Sequence, residues 1–423
     1  MSSRATAAAL RIIAAFSLAL MFSLVAGCAP RSGHALFSSD CNAPPRDAIS
    51  QVALPGHPFD AVLSADGCWV FVSIVSSSPR SPNGVAVLSR VGGTLTLRHL
   101  VTVENGIAGM VMTHDGKLLI GADDLYLVFL DVDRLRRGDA DAVVGYLSDG
   151  GESPGTVFVN VTKDDRLVFA SDENNLAITV VDLAKARASN FGAPSIVGWI
   201  PVENAPAALT FSPDDRWLYT TSQIARRRYK MPAQCKQDED TSPHPTLVAP
   251  QGVVIVVDVY RAATDPAHAG VTRIPAGCHP VRLALSPDGK TAWVTARDSD
   301  ALLGFDTAKL LNDPAHARIA AVPVGTGPTA LAVVRDGAYV VVGNANRFAA
   351  DQTVGRTLSV IDAVKALGHQ PASAGTIPTG SYPRQITKSP DGKTLFVTDY
   401  NSDSLEVIDV DRLPLGTATS TSR

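Results

Sequence analysis

Five side chains stand beside short loops and could do chemistry: His57, His279, Arg282, Tyr382 and Arg384. His57 and His279 each precede a proline, Pro58 and Pro280, and Tyr382 precedes Pro383. Imidazole titrates near neutral pH, so matched histidines offer proton transfer or ligation. Guanidinium groups offer a forked grip on carboxylate or phosphate. Asp172, Glu173, Asn174, Arg297, Asp298, Asn344, Asn346, Asp399 and Asn401 add polar groups on nearby loops. Mixed Arg, Asn and Asp suit a sugar, an acid or a peptide better than an apolar ligand, although Asn and Asp are also ordinary turn residues. A loop histidine without converging carboxylates is more often a polar surface group than a catalyst. The densest positive charge is Arg226-Arg227-Arg228-Tyr229-Lys230, which offers a seat for an anion or simply a solvated loop. Gly-rich phosphate loops, nucleophile elbows, CxxCH and HExxH motifs are absent from the sequence, and nothing in it calls for a metal or a cofactor.

These residues sit on a repeating frame, seen most clearly in Ser389 to Val410. Asp391-Gly392 reads as a two-residue type I′ hairpin, and Thr394-Leu395-Phe396-Val397-Thr398 as the strand after it. A polar loop and a further strand, Leu405-Glu406-Val407-Ile408, follow, closed by Asp409. The frame recurs seven times, at Asp66, Asp115, Asp164, Asp214, Asp288, Asp336 and Asp391. Successive aspartates are 49, 49, 50, 74, 48 and 55 residues apart. A proline lies eight residues before the turn aspartate in five units: Pro58, Pro206, Pro280, Pro328 and Pro383. A period of about 40 to 50 residues with four strands per unit predicts an all-β, seven-bladed β-propeller of antiparallel blades.

The blades are expected over 57–103, 107–148, 154–203, 206–277, 280–325, 328–380 and 383–412, within a propeller domain at 48–412. The last unit lacks an outer strand, so Ile49 to Leu54 is expected to pair with Leu405 to Val410 and close the ring. Residues 413–423 read as a small, polar tail. Insertions at Ser76–Gly84, Gln223–Gln251 and Asn344–Arg356 all fall between second and third strands. That puts them on the same face as the loops carrying His57, His279 and Tyr382, and length variation gathered on one face usually marks the binding face. Short helical turns are expected after Asp306 and Asp362.

Residues 1–27 read as a targeting segment, with Arg4 and Arg11 before an apolar run from Ile12 to Ala26 too short to span a membrane. Without them the chain has 396 residues, with 35 basic against 41 acidic side chains. That mild acidity argues against a nucleic-acid or anionic-lipid surface. After Cys28, four cysteines remain, an even count in an exported chain. Disulfides Cys41–Cys68 and Cys235–Cys278 are the favoured pairing, tying the lead-in to the first blade and the long insertion to the next loop.

Two resemblances follow. Val25-Ala26-Gly27-Cys28 resembles the lipobox of bacterial lipoproteins, which implies cleavage before Cys28, lipidation of its thiol and a tether through residues 28–47. Ala29 then implies the outer membrane where there is one. Phe396-Val397-Thr398-Asp399-Tyr400-Asn401 with Leu405-Glu406-Val407-Ile408-Asp409 resembles the YVTN-type propeller repeat, and Trp293-Val294-Thr295 and Val340-Val341-Val342-Gly343-Asn344 resemble it more loosely. That resemblance spans about 48 to 412 and implies an extracytoplasmic protein. Related propellers include lactone hydrolases of the 6-phosphogluconolactonase type, but the repeat residues carry no catalysis, so no active site transfers. The expectation is a monomeric, lipid-anchored scaffold that binds an envelope protein or a small polar ligand. The alternatives are a lactone hydrolase using the channel mouth and a structural part of an envelope assembly.

Overall fold

A computed structural model describes residues 40–76, 82–150, 155–226, 234–236, 248–347, 356–413 and 415. Seven antiparallel sheets form a seven-bladed β-propeller. In the first blade the strands run His57–Leu63, Trp69–Val75, Gly84–Val91 and Thr94–Thr102, from the axis outward. The fourth blade breaks its inner strand into Asn204–Pro206 and Thr210–Phe211. In the last blade, the outer strand is Ile49–Ala53, paired Ile49 to Ile408 and Ala53 to Ser404. The ring is closed by a segment more than 350 positions upstream of its partner, which removes an open sheet edge.

Each blade interface encloses one apolar cluster. At the closure, Phe396, Leu405 and Val407 of the last blade pack on Val70, Val72, Ala86 and Leu88 of the first. Fully burying one such side chain is worth about 1.5–3 kcal/mol. Hydroxyls on the second strands lock neighbouring blades further. Thr295 Oγ1 accepts from Arg282 N at 3.0 Å and donates to Thr329 O in the next blade at 2.9 Å. Thr221 does the same between Ala208 and Val281, and Ser73 between Asp60 and Ala108. At Asp60 and Arg282 the N–H sits where the inner strand slips its register, and at Ala208 where the strand is broken, so the hydroxyl satisfies a donor that the ladder leaves open.

Six of the seven turns differ from the expected type I′ geometry; only in the sixth blade are two successive residues, Arg335 and Asp336, both left-handed. Gly67, Gly116, Gly289 and Gly392 are left-handed, but the aspartates before them are not. The reason lies in the aspartate side chain. Asp391 Oδ1 accepts from Ser389 Oγ at 2.5 Å and from Lys393 N at 3.1 Å. The same Ser/Thr–Asp clasp recurs at Asp66, Asp115, Asp164, Asp214 and Asp288. The aspartate is therefore an acceptor that folds the turn, not a residue chosen for positive φ. Asp306 and Asp362 cap the helices Thr307–Asn312 and Ala363–Leu367 by accepting from Lys309 N and Lys365 N. Disulfides join Cys41 to Cys68 and Cys235 to Cys278.

Candidate functional site

The axis is polar where inner-strand residues one or two positions past the blade proline meet. These are Phe59 and Asp60, Arg282, and Arg384 and Gln385, joined by Phe158 of the third blade. The Arg384 guanidinium lies 3.5 Å over the Phe59 ring, and that of Arg282 lies 3.9 Å over Phe158. The two phenyl rings are 5.8 Å apart, and Arg282 Nε donates to Gln385 Oε1 at 2.8 Å. This cross-strut divides the channel. On one side is a void of about 180 Å³ lined by Asp60, Met110, Asn160, Thr210 and Gln385 among others. On the mouth side is a narrower one of about 40 Å³, bordered by Glu173, Gln223, Arg297, Arg347, Tyr382 and Arg384.

The mouth holds more positive than negative charge. Arg282 is 8% exposed, and its guanidinium is pushed down to about 9 by burial first and by Arg384 second, with Asp60 opposing. Arg384 donates through Nη1 to the Tyr382 hydroxyl, while its Nε is buried without a hydrogen-bond partner. Neither arginine forms an ion pair with a carboxylate among the described residues. Asp60 is pushed up by burial, against hydrogen bonds from Met110 N and Ala61 N and the charge of Arg282. Glu173 is likewise pushed up by burial, while Arg384, Arg347, Arg282 and Arg297 pull it down. Asp298 neutralises Arg297 at 3.0 Å, so it is Arg282 and Arg384 that leave the mouth favouring an anion.

Of the five residues singled out by position, Arg282, Tyr382 and Arg384 converge on the mouth void; the two histidines do not line it. His57 Nδ1 lies 2.6 Å from Asp403 Oδ1, and its ring stacks on Tyr400 at 4.8 Å. Tyr400 in turn lies 5.3 Å from Tyr382, so His57 backs the aromatic wall. His279 is 4% exposed, with Nδ1 2.5 Å from Asp298 Oδ2. Asp298 is held below the usual carboxylate range: burial would raise it, but the His279 bond and charge and then Arg297 outweigh that. Nor are the histidines equivalent in backbone. His279 is left-handed at φ 48°, as are Ala205, Gly327 and Tyr382, each before a blade proline, whereas His57 is not. A non-glycine residue held there costs on the order of 1–3 kcal/mol and aims its side chain off the regular strand direction.

Arg226 is not available to an external anion. Its Nη2 donates to Val202 O at 2.9 Å and its Nε lies 3.5 Å from Glu203 Oε2, while Arg273 Nε holds the other Glu203 oxygen at 3.0 Å. Glu203 is fully buried, so this end of the basic run neutralises an internal carboxylate. Arg227, Arg228, Tyr229, Lys230 and Cys28 lie outside the described residues. Cys278 adjoins His279, so its disulfide to Cys235 ties the insertion to the mouth loop. Sequence reasoning missed Phe59, Asp60, Phe158, Gln223, Arg347 and Gln385. Phe59, Asp60 and Gln385 are signalled by a place one or two residues past a blade proline and Arg347 by a place in the loop after a second strand, whereas Phe158 in an inner strand and Gln223 near the end of a second strand carry no such signal. On the turn face, a groove of about 490 Å³ runs among Arg335, Asp336, Lys388, Asp391 and Lys393. Its charges alternate in sign, and its aspartates belong to the shared turn. Among the described residues no group of three or more His, Cys, Asp or Glu is placed to hold a metal, and no helix is long and apolar enough to cross a membrane.

Residues 230–414 match the family model described as "Lactonase, 7-bladed beta-propeller". No curated protein matches the chain. Among solved structures, hydrazine synthase of Kuenenia stuttgartiensis aligns with a TM-score of 0.61 and 16% identity, over 85% of this chain and 97% of that one. A chain of the mitotic checkpoint complex aligns at 0.60 and 13% identity, over 94% and 99%. At these identities the likeness is one of fold.

Proposed function

We propose that the protein is a ligand-binding propeller of the cell envelope, tethered through a lipid on Cys28, that holds a small anionic molecule at the channel mouth. The observation that carries this reading is the pair Arg282 and Arg384: two guanidinium groups at the axis, stacked on phenyl rings, without a carboxylate partner among the described residues. An unpaired buried charge is costly to a fold and is relieved by a counter-charge. A carboxylate or phosphate seated between them would relieve both, with Tyr382 and Tyr400 as a wall beside it. Calorimetric titration of the full chain with phosphate, citrate and gluconate tests this. Saturable binding of phosphate, weakened tenfold or more in Arg384→Met, is expected, with citrate and gluconate reporting which larger anions the site admits; no binding of phosphate to the wild type contradicts it.

A second reading is hydrolysis of a cyclic ester, favoured by the match of residues 230–414 and by the His279–Asp298 contact close to Arg297. There the arginines would receive the carboxylate product. Proton release on adding δ-gluconolactone, above the uncatalysed rate and lost in His279→Ala, would favour it over simple binding.

A further inference from the structure

Behind the mouth, two carboxyl groups are buried against each other. Asp399 is fully buried and Glu406 is 6% exposed. Thr379 Oγ1 lies 2.9 Å from Asp399 Oδ1 and 2.7 Å from Glu406 Oε2. Both are hydrogen-bond distances, yet the threonine hydroxyl brings one proton. Three oxygens joined by two hydrogen bonds need two protons, so the second must reside on a carboxyl group. Glu406 Oε1 accepts from Gly380 N at 3.1 Å, and Gly380 N and the Ser404 side chain also lie against the Asp399 carboxyl. A Cβ at Gly380 would come within 2.5 Å of Asp399 Cγ, so the glycine is what lets the loop close on the carboxyl.

We propose that Asp399 and Glu406 share one proton through Thr379, and that this proton clasps the mouth loop to the ring closure. The three residues join the elements that matter. Thr379 and Gly380 lead into Ser381 and Tyr382 at the mouth. Asp399 precedes Tyr400 and Asp403, which hold His57. Glu406 pairs in register with Gln51 of the closing strand, and Gln51 Nε2 donates to Ser404 Oγ at 2.7 Å. Loss of the proton leaves two negative charges face to face in a buried site, which pushes the 379–382 loop away from the last blade.

The other titratable or charged groups on the surrounding elements are Asp403 and Tyr400 on the loop after Asp399, Tyr382 and Arg384 after Gly380, His57 on the first blade, and Arg356, whose carbonyl accepts from Thr379 N. Neither member of the pair forms an ion pair with any of them. Burial, and then Glu406, push Asp399 up to about 8, and Glu406 is pushed up by burial. The sign follows from proton counting. Between the ordinary carboxylate range and about pH 8 the folded chain holds a proton that the unfolded chain has lost, so stability falls as pH rises through that window.

Urea unfolding of the full chain from pH 5 to 9 tests the clasp. The wild-type midpoint should fall with pH, and Glu406→Gln, an amide in place of the protonated acid, should flatten the fall and be the more stable protein at pH 9. A wild-type slope retained in Glu406→Gln overturns the proposal. Infrared spectroscopy gives an independent reading on the wild type. A protonated-carboxyl carbonyl band at pH 7, lost in Asp399→Asn, is expected, and its absence from the wild type overturns the shared proton. Amide exchange compared at pH 9 locates the effect. Residues 49–53 and 379–384 should be less protected in the wild type than in Glu406→Gln, and equal protection overturns the link to the ring closure.

Discussion

The two ends of each blade follow different rules. At the turn end, a Ser or Thr hydroxyl, an aspartate and a left-handed residue recur almost unchanged, as in Ser64-Asp66-Gly67 and Ser389-Asp391-Gly392. At the mouth end the residue before the blade proline varies: His57 meets Asp403, Ala205 fills the position in the fourth blade, Gly327 in the sixth and Tyr382 in the seventh, and even the fifth blade's His279 differs from His57 in backbone and partner. The turn end satisfies its polar groups locally and closes six of the seven hairpins with the same clasp, the sixth blade's Asp336 turn being the exception. The mouth end leaves charge unrelieved at Arg282 and Arg384. A fold that repeats its satisfied contacts and individualises its unsatisfied ones separates scaffold from site.

That contrast can be broken in several ways. The largest stability effect is expected at Arg226, where the mouth side carries a charge that is structural. Arg226→Glu places a like charge beside buried Glu203 and should cost about 3–5 kcal/mol, with the affinity for phosphate unchanged in the protein that remains folded. Chemical denaturation and titration read the two separately. Next is the hydroxyl lock between blades: Thr295→Val strands the Arg282 N–H and the Thr329 carbonyl and should cost about 1–3 kcal/mol by denaturant midpoint. Arg282→Met should move the other way, raising stability by about 1 kcal/mol while weakening phosphate binding at least tenfold. The smallest effect is at the turn. Asp391→Ala removes the clasp on Ser389 and Lys393 and should cost about 1 kcal/mol without altering binding. If Asp391→Ala altered binding as much as Arg282→Met, the division between the two ends would fail.

The architecture was legible because its determinants are local and repeated. A period near 50, a proline and a turn aspartate suffice to place seven blades, and the missing outer strand of the last unit points back to Ile49–Ala53. The turn type was misread because Asp-Gly signals two geometries, and only the hydrogen bonds from Ser389 Oγ and Lys393 N distinguish them. The site was legible in part. Arg282, Tyr382 and Arg384 stand out by position, but Phe59 and Phe158 look like core residues until the ring brings them to the axis. His57 and His279 were overweighted, since matched places in sequence do not reveal that one is left-handed and buried against Asp298 while the other stacks on Tyr400. The carboxyl pair behind the mouth was invisible because Thr379, Asp399 and Glu406 meet only when the sixth blade's exit loop lies over the last blade.

The most direct test is a melting experiment on the wild type and Arg282→Met across a phosphate titration. The wild type should melt lower than Arg282→Met without phosphate and gain stability as phosphate is added, while the variant should start higher and not respond. A wild type that neither melts lower nor responds to phosphate, or a variant that responds equally, would show that the axial arginines are scaffold rather than site.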